Sequence, residues 1–320
     1  MRVLITGATG FIGRFLTQLC LKNGCSVLGI DRRGLEEALP GATLEGCDIR
    51  NAERLSELLR TFHPDRIFHL AAQSYPTVSM LQPLETLDIN IGGTVNLFES
   101  LRAEGMSPVV VVACSSGEYG PVEAKDLPVR EDHGLHPLHP YGVSKVGQDL
   151  LAAQYFLNYA IPAVRIRIFN TTGPGKLGDV CSDLAKRAIE IERGLRSPSL
   201  HVGNLDTRRA IVDVRDLVRG LWLASERCEP GEVYNVGASQ HYSVREIIDA
   251  ISARVKVPFQ IDQDPELMRK CDEPVILGDI SKFKHCTGWT TEVEIAKTLD
   301  DMLEWWRNRL ASASSSRATA

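Results

Sequence analysis

The chain has 320 residues, 43% of them hydrophobic, enough for the core of one large domain or two modest ones. Its 36 Lys and Arg against 41 Asp and Glu leave a net charge of −5, which excludes the global positive field of a nucleic-acid or anionic-membrane binder. Eight cysteines (20, 25, 47, 114, 181, 228, 271, 286) form no CxxC pair and no regular framework, the pattern of reduced, mostly buried thiols in a cytoplasmic protein.

Residues 2–6 ("RVLIT") read as a strand that runs straight into "GATGFIG" and a helix over 11–23. A strand, a glycine-spaced turn and a helix start, in that order, are what a dinucleotide site requires. Gly7 permits the tight turn, Gly10 lets backbone N–H groups approach a pyrophosphate, and Gly13 allows close helix–sheet packing. Gly7, Gly10, Phe11, Ile12 and Gly13 are therefore candidate cofactor contacts. The same glycines interrupt any leader-like apolar stretch, and no apolar segment of about 18 residues occurs, so no membrane insertion is expected.

The strand over 26–30 ends in "GIDRRG". Asp31 is placed to accept from adenosine ribose hydroxyls, as for NAD(H). Arg32 and Arg33 suit a 2′-phosphate, as for NADP(H), or form only a solvated turn, so the choice between NAD(H) and NADP(H) stays open. Helices near 51–62, 84–104 and 141–160 then alternate with strands at 66–70, 109–113 and 163–169. Such alternation implies right-handed crossovers and a doubly wound parallel α/β sheet of Rossmann type.

The 109–113 strand leads into "CSSGEYG" (114–120), where Cys114 reads as a packing residue. Further on, "HGLHPLHP" spaces His133, His136 and His139 by three, but Pro137 and Pro140 prevent a helix from aligning them. No metal site is expected, and the stretch reads as a loop over a substrate mouth. Tyr141 and Lys145 follow, four apart on one helix face. A lysine beside a tyrosine stabilises the phenolate and draws its pKa from about 10 toward working pH, which suits proton exchange with a carbonyl or alcohol.

Beyond 170 the alternation becomes irregular, with a Gly/Pro-rich loop at 171–179 and a helix over 180–193. Residues 211–225 and 231–237 supply another helix and strand to the first sheet. The expected division is a dinucleotide-binding domain over 1–170 joined by 211–236, and a smaller substrate-binding α/β domain from 171–210 and 237–310. The tail 311–320 is expected to be disordered.

"TGATGFIG", "CDI" (47–49), "HLAAQ" (69–73), "DINIGGTVNL" (88–97), "YGVSK" and "RIFNTTGPG" (167–175) together resemble the extended short-chain dehydrogenase/reductase family acting on nucleotide-diphosphate sugars, over nearly all of 1–310. The resemblance implies Tyr141 as catalytic acid/base, Lys145 as its electrostatic partner and a ligand of the nicotinamide ribose, and Ser115 as the group hydrogen-bonded to the reacting sugar oxygen. Asp48 and Ile49 are implied adenine contacts, and Leu70, Ala71 and Ala72 line the cofactor cleft.

Dehydratases of this family resemble "TDEVYG" or "TSELYG" at the stretch that here reads Ser115-Ser116-Gly117-Glu118-Tyr119, so Gly117 stands where their proton-abstracting Glu would be. Glu118 comes one residue later and, on an extended backbone, would point to the opposite face. "FNTTGPG", "IERGL", "GEVYNVG" and "GDISKF" are similar to the GDP-6-deoxy-4-keto-mannose reductases that form GDP-rhamnose, near the GDP-mannose 4,6-dehydratases. That implies NAD(P)H-dependent reduction of a 4-keto-6-deoxy sugar nucleotide. The alternatives are a 4,6-dehydratase or epimerase with retained cofactor, and a cofactor-sensing protein, which would commonly lack the Tyr or Lys.

Ser116, Glu118, Asn170, Arg209 and Arg269 are the implied substrate contacts, although each arginine alone also reads as a surface ion pair. Arg209-Ala210-Ile211 replaces the family's Arg-Asp-Phe, which leaves the sugar nucleotide open. The resemblance further implies a homodimer through the helices 84–104 and 141–160, whose surplus apolar positions are Leu84, Leu87, Ile91, Val95 and Phe98, and Val146, Leu150, Leu151 and Phe156.

Overall fold

A computed structural model of the chain describes residues 1–32, 39–264 and 275–318; Arg33 and Arg269 lie outside the described residues. Strands β1 (Arg2–Thr6), β2 (Ser26–Asp31), β3 (Thr43–Gly46), β4 (Arg66–His69), β5 (Val109–Ser115) and β6 (Ala163–Ile168) join the strand Val233–Val236 in one sheet. The order is Val233–Val236, β6, β5, β4, β1, β2, β3, and every neighbouring pair is parallel. A parallel sheet is covered on both faces, which explains the unbroken apolar runs: Val3, Leu4, Ile5, Val110, Val111 and Val112 are all fully buried. This is the doubly wound α/β sheet expected, and its strand order reverses between β1 and β4, where such sheets bind ligands at the strands' carboxyl ends.

Helix α1 (Phe11–Lys22) follows β1, and α2 (Ala52–Phe62) follows β3. The helix expected over 84–104 is three pieces: α4 (Pro83–Leu87), a π turn at Asp88–Gly92, and α5 (Gly93–Ala103), with the short α3 (Pro76–Leu81) before them. Helix α6 (Pro140–Tyr159) carries "YGVSK". On one face of the sheet Leu4, Ile67, Val110 and Val112 pack with Leu55 and Leu59 of α2, Leu97 and Phe98 of α5, and Ala152 and Tyr155 of α6. Phe98, expected on a pairing surface, is therefore a core residue, whereas Leu84 and Leu150 are exposed. Strand β3 and helix α3 escaped the sequence reading because each is too short to show a period.

Two compact units emerge from the fold. The first comprises Met1–Phe169, Leu217–Val236 and Gly278–Thr290; the second comprises Asn170–Asp216, Gly237–Leu277 and Thr291–Ala320. In the second, the helices Val180–Glu192, Val244–Ser252 and Ile295–Ala318 enclose Ile189, Ile248, Ile251, Leu299, Leu303 and Trp306. The last helix runs to Ala318, so residues 311–318 of the tail expected to lack structure continue it instead: no Gly or Pro follows Leu310 to break a helix already formed. Among the described residues no helix is long and apolar enough to cross a membrane.

Candidate active site

The glycine turn after β1 is a cradle that side chains would fill. Gly7 has φ +72°, donates its N–H to Ile30 O at 2.8 Å, and would put a Cβ 2.9 Å from Ala71 N. A Cβ on Gly13 would lie 2.2 Å from Gly7 O. Gly10 stands at the N-cap of α1 and offers no side-chain cap, so the start of the helix suits an anion; Phe11 and Ile12 are half-buried in its first turn. Leu70 and Ala71 present their N–H groups to Thr6 Oγ1 at 3.1 and 3.0 Å, with Ala72 next in the chain, which brings the end of β4 against the cradle. The narrowness of this groove fits a pyrophosphate approached by backbone alone.

At the end of β2, Asp31 Oδ2 accepts from Thr9 Oγ1 at 2.7 Å, and the exposed Arg32 stands 3.9 Å from Glu85. Hydrogen bonds from Arg50 hold the Asp48 carboxyl below the usual carboxylate range. The Ile49 side chain is buried so tightly against α5 that a Cβ on Gly93 would lie 2.3 Å from it. Only its backbone is left to meet an adenine.

Ser115 ends β5 in register with Ile168 of β6, two residues beyond the strand end expected from sequence. The chain then closes into a single 3-10 turn, Ser116–Glu118, instead of continuing extended. Ser115 Oγ accepts from Gly117 N at 3.1 Å, which leaves its own proton to donate. Tyr141 lies in the first turn of α6 and Lys145 one turn on. Burial pushes the Tyr141 hydroxyl up to about 12, opposed by its hydrogen bond with Ser115 and reinforced by the nearby Glu118 carboxylate.

Lys145 Nζ donates to Ala113 O at 2.7 Å and stands 5.9 Å from the Tyr141 ring centroid, and burial pushes its own pKa down. With its hydroxyl pushed up by burial, Tyr141 holds its proton at neutral pH. A Cβ placed on Gly117 would sit 3.4 Å from Ser115 Oγ and 3.8 Å from Tyr141 Cε1, so position 117 faces the reacting groups.

Glu118 is no substrate contact: it is fully buried. Its Oε1 accepts from Ser115 N at 2.7 Å, and its Oε2 lies 3.2 Å from Arg167 Nε. That single N–H already serves Asp149 Oδ2 at 2.9 Å, while Asp149 Oδ1 takes Arg165 Nη1 at 2.5 Å. Desolvation and the neighbouring Asp149 charge therefore raise the Glu118 pKa. Ser116 sits half-buried in the turn.

Asn170 and Arg209 belong to the second unit. Asn170 O accepts from Val212 N at 2.9 Å, its Nδ2 is buried without a hydrogen-bond partner among the described residues, and Arg209 Nη1 donates to Arg208 O.

Sequence reading missed two buried networks. His69 bridges Thr6 Oγ1 and Thr94 Oγ1, each at 2.9 Å, and burial drives its pKa down to about 3, so it stays neutral. Asn90, turned inward by the π turn, donates to Ser144 Oγ at 2.8 Å, and Ser144 donates to Tyr141 O at 2.6 Å. A third network, that of Arg165 and Arg167 with Asp149 and Glu118, did leave a trace, because "AVRIRI" puts two arginines in an interior parallel strand, where only buried counter-charges can hold them.

The family model described as GDP-mannose 4,6 dehydratase matches residues 4–302. A GDP-6-deoxy-D-mannose reductase of Pseudomonas aeruginosa is 30% identical over 312 residues, covering 97% of this chain and 98% of that protein. A UDP-glucose 4-epimerase of Mycolicibacterium smegmatis is 31% identical over 325 residues, covering 97% and 99%. Among solved structures, RMD from Pseudomonas aeruginosa complexed with NADPH superposes with a TM-score of 0.85 at 30% identity, covering 96% of this chain and 99% of that one.

Proposed function

We propose that this chain, which belongs to the GDP-mannose 4,6-dehydratase family of NAD(P)-dependent sugar-nucleotide enzymes, reduces the C4 ketone of a nucleotide-diphosphate 4-keto-6-deoxy sugar, with GDP-4-keto-6-deoxy-mannose as substrate and GDP-rhamnose as product. The observation that carries this reading is Gly117. Position 117 faces Tyr141 and Ser115, and a glycine there offers no group to remove the C5 proton that dehydration requires.

The glycine cradle, Gly7, Gly10 and Gly13, would hold a reduced nicotinamide dinucleotide, which would supply the hydride. Tyr141, protonated at neutral pH, gives its proton to O4 as the carbonyl becomes an alcohol. Ser115 donates to the same oxygen, its Oγ steadied by Gly117 N–H. The Lys145 ammonium, 5.9 Å from the tyrosine ring, offsets the phenolate charge as the proton leaves.

The equally similar epimerase supports a second reading, C4 epimerisation with the cofactor retained. One assay separates them. With NADPH or NADH supplied, the reductase consumes one equivalent per 4-keto-6-deoxy sugar nucleotide and none without it. A 4-keto product from GDP-mannose alone, or interconversion of UDP-glucose and UDP-galactose without added reductant, overturns the reductase reading. Tyr141→Phe should keep cofactor affinity and lose turnover by about 10²–10⁴-fold. We also place the protein in the cytoplasm as a homodimer, supported by the absence of a disulfide among the described residues and by exposed apolar residues on α3, α4 and α6.

A further inference from the structure

We infer that His139 is a substrate contact: its Nε2–H donates to an oxygen of the sugar held against Ser115 and Tyr141, on a carbon beside the reacting one. The inference rests on the sugar-nucleotide reading above and adds to it a residue that fixes which oxygens the sugar must carry.

His139 is the N-cap of α6, and its Nδ1 accepts from Gly142 N at 2.9 Å. Histidine is an uncommon choice there, since Ser, Thr, Asp or Asn caps a helix with a smaller side chain and less entropy to lose. What the ring adds is a second nitrogen in a settled state. An Nδ1 that accepts a backbone N–H is unprotonated, so in the neutral ring the proton is on Nε2. Burial lowers the His139 pKa, which keeps the ring neutral at working pH.

The placement of the ring follows from Tyr141 and Gly117. The ring is stacked on Tyr141, centroids 5.8 Å apart and planes 30° apart. Its Cε1, the carbon between the two ring nitrogens, lies 3.5 Å from where a Gly117 side chain would begin. That same point is 3.4 Å from Ser115 Oγ and 3.8 Å from Tyr141 Cε1, so one small space is bounded by all three side chains. The hydrogen bond that fixes the ring is the one at Nδ1, from Gly142 N, and the residue is half-buried.

A neutral histidine whose Nδ1 is engaged by Gly142 can donate but cannot take up a proton without breaking the cap. It therefore orients a sugar and does not abstract a proton from it, in keeping with reduction. His133 and His136 take no part. His133 Nδ1 is engaged at Gly134 O, and His136 is exposed with its ring against Gly134.

The test exploits the double role of the ring. His139→Asn and His139→Ser each retain an N-cap oxygen and delete the donor. Both should keep the melting temperature and NADPH affinity of the wild type, while kcat/KM for the 4-keto-6-deoxy sugar nucleotide falls about tenfold. Affinity for GDP-mannose should fall by a similar factor, and affinity for GDP alone should not change. Wild-type kcat/KM in either variant would show that His139 only caps the helix and would overturn the inference.

Should neither variant fold, ¹⁵N-labelled imidazole of the wild type gives the same decision. The His139 Nε2 resonance should shift on adding GDP-mannose and stay put on adding GDP, and no shift with the sugar overturns the proposal. A wild type that binds GDP-mannose but leaves the ketosugar unreduced would sink the reductase reading alone.

Discussion

Glu118 shows how a residue beside a catalytic group can serve it without touching the substrate. Its carboxyl bonds the Ser115 N–H, and Ser115 Oγ bonds back into the same turn, so the serine's direction is set by a group buried beneath it. Glu118→Ala should leave that N–H without a partner, costing about 1–3 kcal/mol of stability and lowering kcat through a misplaced Ser115. Glu118→Gln keeps an acceptor oxygen and should be far milder. The two also differ in pH dependence. The carboxyl pKa is raised in the folded protein, so folding takes up a proton at Glu118. The resulting stability is complete below the usual carboxylate range and is lost as pH rises through the folded-state value. Denaturant midpoints of wild type should therefore decline across that span more steeply than those of Glu118→Gln; parallel profiles would remove Glu118 as the titrating group. Sequence spacing alone pointed to Tyr141 and Lys145 on one helix face. It could not show that the lysine's nearest bond is to Ala113 O, because that partner comes from β5, 32 residues away.

At the scale of elements, the site is the meeting of two chain segments, the turn after β5 and the first turn of α6. Gly142 makes the meeting possible. A Cβ there would lie 2.5 Å from Gly117 O and 2.8 Å from Pro137 Cβ, contacts that the backbone must move to relieve. Gly142→Ala is therefore expected to destabilise by about 1–3 kcal/mol and to separate Ser115 from Tyr141. Thermal unfolding and kcat measured together check this, since a change in neither would mean the two segments have slack. The strands and longer helices were legible from their periods. The π turn was not: one extra residue within a helix leaves the apolar pattern nearly intact, and only the inward hydrogen bonds of Asn90 reveal it.

For the whole molecule, the exposed apolar residues carry the main prediction. Val143, Leu150 and Leu157 recur every seven residues along α6 and are 46%, 56% and 78% exposed. Leu81 and Leu84, at the end of α3 and the start of α4, are 83% and 81% exposed. An apolar stripe of this length on a helix is self-complementary about a two-fold axis, which is how a pair of identical chains would cover it. Mass measurement at micromolar concentration should give twice 35.3 kDa, and the double change Leu150→Glu with Leu157→Glu should give one protomer of unchanged fold. A wild-type monomer at that concentration would exclude the pairing. Composition had already indicated a surplus of apolar positions on these helices, but it included Phe98, which the core takes.

The sequence by itself determined the parallel α/β sheet, the glycine cradle and the Tyr141–Lys145 pair, because each is written in local spacing that a strand, turn or helix turns directly into geometry. Only the tertiary structure decided what those groups do to one another. It buried Glu118 under Ser115, engaged Lys145 at a backbone carbonyl, left Tyr141 holding its proton, and opened the space at Gly117 toward His139. Burial and the identity of the nearest charge set these states, and both depend on residues that are distant along the chain and adjacent only once it has folded.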